Sequence, residues 1–149
     1  MKIFTRKAIL FVMTFVVVLA TQTTLAAPPL PNPILIFIGQ ESAVVGGENI
    51  TRYLFDVFNK NEYPAEMFAA APDLPPCGNN RNAARTWVDI YDQRGTKLNT
   101  FCALTKREDL NKIWFHMPAD KIPPSYVFIE MTDRKTNLKY KSNLSDTVQ

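Results

Sequence analysis

"RTWVDIYDQRGTKLNTFCAL" (Arg85–Leu104) decides the reading of the fold. Thr86, Val88 and Ile90 fall on one side of an extended chain, because successive side chains of a strand point to opposite faces. "QRG" then turns the chain, with Gly95 free to take a positive φ, and "TKLNTFCAL" (Thr96–Leu104) runs back. Two alternating segments joined by a short glycine-bearing turn read as a β-hairpin.

The same period continues outward in both directions. Toward the N-terminus, "ILIFIG" (Ile34–Gly39) is a short apolar run, and "ITRYLFDVFN" (Ile50–Asn59) sets Tyr53, Phe55 and Val57 on one face. Toward the C-terminus, "KIWFHM" (Lys112–Met117) alternates Ile113, Phe115 and Met117, and "SYVFIEMT" (Ser125–Thr132) alternates Val127, Ile129 and Met131. "DRKTN" hands over to "LKYKSN" (Leu138–Asn143). About seven strands result, and all 11 prolines lie outside them, as ladder hydrogen bonding requires. The only helical candidate is "AEMFAAA". Short antiparallel strands joined mainly by turns predict an all-β, two-sheet sandwich over residues 34–144, with an open β-barrel as the alternative.

The start of the chain reads as an address. Lys2, Arg6 and Lys7 precede an apolar run from Ala8 to Ala20, and Thr24-Leu25-Ala26 offers the small residues that a signal peptidase cuts behind. Residues 1–26 are therefore expected to be a signal peptide, too short in its apolar part for a membrane anchor. The expected product is secreted or periplasmic, with no stable membrane insertion. A proline-rich lead covers residues 27–33, and residues 145–149 form a C-terminal tail. Removing the signal takes three of the 17 basic residues and leaves 14 against 14 acidic ones, so the charge balance gives no support for a nucleic-acid partner.

Asn59 to Ala84 forms a connection longer than compact domains usually carry without a purpose. It ends beside Cys77, and an exported chain with two cysteines most simply pairs them, so a Cys77–Cys102 disulfide is expected to brace it. Free thiols or a redox site are the other reading, without a Cys-x-x-Cys to carry it. Tyr63, Met67, Phe68, Asp73 and Leu74 are the candidate partner contacts in this loop, against the plainer reading that Met67, Phe68 and Leu74 cap an open end of the core. Lys139 and Lys141 share a face of the last strand, where they either meet an anionic polymer or protect a sheet edge.

Catalytic signals are weak. His116 is the single histidine, none of the serines after the signal sits in a nucleophile-elbow context, and Asp89 and Asp92 lead into a turn that aspartate caps routinely. No phosphate loop, calcium loop or dinucleotide fingerprint occurs, so neither a metal nor a cofactor is expected.

The order of strands resembles an immunoglobulin-like or fibronectin type III-like sandwich. "IPPSYVFIEM" is similar to the sixth strand of that class, with Tyr126 where a tyrosine corner would sit, and Trp87 lies where such sandwiches often bury a tryptophan. The cysteines depart from the antibody pattern, because Cys77 precedes Trp87 and lies in a loop. The stretch from "YPAEMF" to "FCAL" also resembles small exported bacterial proteins without an assigned activity. The expected function is a non-catalytic binding module that uses the loop 59–84 or a sheet edge to meet a protein or a cell-surface polymer. The alternative is a proteinaceous inhibitor of a secreted hydrolase, with the braced loop as the plug.

Overall fold

The computed structural model describes residues 29–76 and 84–148. The expected signal peptide and Cys77 lie outside the described residues. Among the described residues there are eight strands: β1 (Leu35–Val45), β2 (Glu48–Val57), β3 (Thr86–Asp92), β4 (Lys97–Phe101), β5 (Ile113–Pro118), β6 (Tyr126–Asp133), β7 (Leu138–Lys141) and β8 (Ser145–Asp146). They form two antiparallel sheets, one ordered β1-β2-β5 and the other β4-β3-β6-β7, with β8 also pairing β6. The architecture is a sandwich, and the sheets do not close into a barrel.

The alternation that predicted the strands also aims the side chains. Phe55, Ile113 and Phe115 of the smaller sheet meet Val88, Ile90, Ile129 and Met131 of the larger one in a shared core from which water is excluded. Stacking of Tyr53 on Phe115, with centroids 4.8 Å apart, joins β2 to β5 inside this core. Burial of each such side chain favours folding by about 1.5–3 kcal/mol, so the period-2 pattern is also the main source of stability.

The hairpin within Arg85–Leu104 forms, but its second strand stops at Phe101 and leaves Cys102–Leu104 beyond it. Asp92 Oδ1 accepts from the amides of Arg94 (2.9 Å) and Thr96 (2.8 Å), and Gly95 takes φ 87°. Burial alone would push the Asp92 carboxyl up, but these bonds outweigh it and hold it below its usual value.

The first strand differs from its reading. Gly39 does not end it but sits at a bulge between the Phe37–Phe55 and Gly39–Leu54 pairs, with φ 146°, a conformation that a Cβ would disfavour. The strand continues to Val45, where Gly46 and Gly47 (φ 60° and 86°) make a two-residue turn into Glu48. Pro118 is the other departure: it is the last residue of β5, an edge strand, where its missing N–H does little harm. "AEMFAAA" yields only a 3-10 turn at Ala65–Phe68, and part of the expected tail becomes β8.

Candidate functional site

The connection after β2 is tied down by its own polar groups. Asn59 accepts from Ile34 N (2.9 Å) and donates to Asn32 O (3.1 Å), while the Tyr63 hydroxyl donates to Pro31 O (2.9 Å). The proline-rich lead is thereby fastened across the end of the sandwich. Thr86 Oγ1 donates to Met67 O at 2.6 Å and Arg85 N to Ala69 O at 2.9 Å, which seats the 3-10 turn on β3. Tyr63, Met67 and Phe68 are consequently 1%, 2% and 0% exposed. These three predicted contact residues point into the core, because the turn's backbone bonds face β3 and leave the apolar side chains nowhere else to go. Burial also pushes the Tyr63 phenol well up.

Asp73 is exposed and Leu74 half-buried. With Glu66, Ala70, Arg85 and Lys135 they line a cleft of about 230 Å³. Arg85 is already committed, its guanidinium forking onto Asp133 at 2.7 and 2.6 Å. Burial would push the Asp133 carboxyl up, but that fork, with the Thr136 hydroxyl and Lys135 amide, holds it below the usual carboxylate value. Among the described residues the cleft therefore offers two acids and one lysine, with no nucleophile beside a base.

Lys139 and Lys141 stand on the outer face of the larger sheet. Lys139 Nζ pairs with Glu130 at 2.6 Å, and Lys141 Nζ lies 4.0 Å from the centroid of Phe128. Phe128 stacks on Tyr91, which lies beneath Lys97, itself paired with Asp89 at 2.8 Å. The cations of this face are largely answered within the molecule. Trp87 belongs to the same face rather than the core, half-buried under Arg134 at 3.9 Å, because Thr86 and Val88 take the inward positions. Tyr126 is 44% exposed at the start of β6 and builds no buried corner. His116 is exposed beside Trp114, and no serine hydroxyl among the described residues bonds it. Among those residues there is no group of three His, Cys, Asp or Glu side chains that could hold a metal, and no helix long and apolar enough to cross a membrane.

The four sheet edges are treated unequally. β5 and β4, the edges along one side of the sandwich, are stitched together: Asn99 Nδ2 donates to Trp114 O at 2.9 Å, and the Phe101 ring meets Trp114 edge-on. β7 presents its lysines. β1 has no lysine, arginine or proline from Leu35 to Val45, and its one charge, Glu41, is paired with Arg52 at 3.1 Å. Ile38, Val44 and Val45 are 49%, 68% and 51% exposed along it. Charged residues, prolines and bulges are what natural edges use to refuse a further strand, and β1 has only its bulge at Gly39, so it is the least guarded.

Beside β1 runs the segment Asn143–Val148. The Asn143 side chain accepts from Leu35 N (2.8 Å) and donates to Leu35 O (3.0 Å), occupying the edge at one residue as a strand would. Beyond that clamp the two part. Two adjoining clefts, of about 270 and 380 Å³, share Phe37 and Val148 and open between β1 and β8. The sequence reading missed this groove by ending the first strand at Gly39 and leaving residues 145–149 as a tail. The "GG" between "SAVV" and "ENITRY" is the signal that could have found it.

Comparison with protein-family models, with curated proteins and with solved structures finds no match to this chain.

Proposed function

We propose that the chain is an exported, non-catalytic binding module on an immunoglobulin-like, fibronectin type III-like sandwich, and that it engages its partner through the β1 edge. The observation that carries this reading is the contrast among the edges, with β1 long, apolar and free of lysine, arginine and proline while the others are stitched or charged. The order β1-β2-β5 against β4-β3-β6-β7 supports the kinship with that sandwich class. Inward burial of Tyr63, Met67 and Phe68 takes apolar contacts away from the loop and weakens the case for an inhibitory plug.

The Cys77–Cys102 brace is part of the proposal. Arg134 donates to both Pro75 O and Ala84 O, and Ala84 N donates to Cys102 O at 2.8 Å, which brings Pro75 and Ala84 toward the end of β4. The partner is a protein or cell-surface polymer in the exported compartment.

A photo-crosslinking residue placed at Ile38, and in a second variant at Asp73, tests the surface in cells that export the protein. Discrete adducts at position 38 and none at 73 are expected. Adducts at 73 alone would move the interface to the loop, and none at either position would sink the binding reading.

A further inference from the structure

The sandwich has two long sides, and they are finished differently. On one, the Asn99 bond and the Phe101–Trp114 contact close the gap between the sheets. On the other, β1 and β8 lie side by side, joined at Leu35 by the Asn143 clamp, and the groove opens past that point. We propose that this open side takes an extended peptide from another protein as an added strand. The proposal rests on the reading of the chain as a binding module and names the chemistry of its ligand: alternate apolar side chains flanked by lysine or arginine.

Three observations select that ligand. First, among the described residues the backbone of β1 has a strand partner on one side only, β2, so an incoming strand finds hydrogen-bonding groups there to pair with. The Asn143 amide shows what those groups accept, engaging both the N–H and the C=O of Leu35. Second, Phe37 and Val148 give the groove an apolar floor and wall, and same-face side chains of a strand recur about every 7 Å, so alternate residues can drop into adjoining clefts. Third, among the described residues the only charged side chain lining either cleft is Asp146, which is exposed and makes no ion pair there. A basic residue next to the apolar positions complements it.

The same charge disfavours a second copy as the occupant. A copy would offer its own β1, whose single charge, Glu41, is already paired with Arg52 and which contains no lysine or arginine to answer Asp146.

The probe is a fluorescein-labelled decapeptide of alternating valine and threonine with two lysines at one end, titrated to about 1 mM against the oxidised, leader-free protein. Saturable binding is expected, with amide NMR shifts concentrated at Phe37–Ser42 and Asn143–Val148. N-methylating alternate peptide bonds of the probe should weaken it at least tenfold if strand pairing holds it. Val148→Trp, which fills the cleft at an exposed position near the chain end, should weaken the probe similarly while leaving the melting temperature within a few degrees.

Binding indifferent to N-methylation would mean an apolar cleft without strand addition and would overturn the proposal. So would shifts at these amides that grow with protein concentration in the absence of probe, the mark of a second copy. Absence of saturable binding overturns it as well. In that case crosslinks at Ile38 that survive Val148→Trp would show that the edge still binds without the groove, so the ligand class fails while the module stands.

Discussion

Phe68 shows how a residue in a loop can belong wholly to the core. Its ring is fully buried, sealing the end of the sandwich under a turn bonded to β3. Phe68→Ser should cost about 3–5 kcal/mol through the cavity and the buried hydroxyl, and lower the melting temperature by roughly 10 °C or more. Unchanged thermal unfolding would return the ring to the surface. Asp133 makes the second test at this scale. Its folded pKa is lowered, so its contribution is complete above the unfolded value near 3.8 and disappears as the pH falls through the folded one. Asp133→Asn should flatten the stability profile below about pH 4 and, by leaving Arg85 without its anion, cost about 3 kcal/mol at pH 7. Denaturant titrations of both proteins from pH 2 to pH 7 would check this, and parallel profiles would refute it.

For the elements, strand faces were legible wherever burial alternates. Thr86, Val88 and Ile90 all point inward as read, and so do Val127, Ile129 and Met131. Strand ends were less legible, since glycine ends a strand, bulges it or turns it according to partners that are distant in sequence. Gly39 bulges because β2 must stay in register on both sides of it, whereas Gly46 and Gly47 turn. The choice between a contact and a core cap for Met67 and Phe68 was out of reach for a related reason: a 3-10 turn of four residues is too short to show a periodicity, and only the Thr86 bond reveals which way it faces. Gly46→Val places a branched side chain at φ 60° and should cost about 1–2 kcal/mol. Gly46→Asn should be nearly neutral by the same thermal measurement, since asparagine tolerates that conformation. Equal losses would show that the turn is not built on its backbone angles.

Across the whole molecule, the mass of the protein recovered from cells that make the full chain is the broadest check. Loss of residues 1–26 with no thiol open to alkylation is expected, and a retained leader or two reactive thiols would undo the export and brace readings. Reduction should then lower stability by about 3.5 kcal/mol, the entropy of freeing a loop of 26 residues, measured by denaturant unfolding with and without reductant. The sheet order and the unequal edges were out of reach of the sequence, because they depend on which strands become neighbours rather than on what each contains.

The Asn143 clamp on Leu35 joins residues 108 positions apart. A chain made N-terminus first at about 5–20 residues per second presents β1 roughly 5–20 s before its clasp exists. During that interval the β1–β2 hairpin can close on its local turn, but its apolar outer edge has nothing to lean on. The seconds before completion are therefore when this protein is most exposed to wrong pairing, and a holdase that shields the one short stretch of β1 would protect the entire fold.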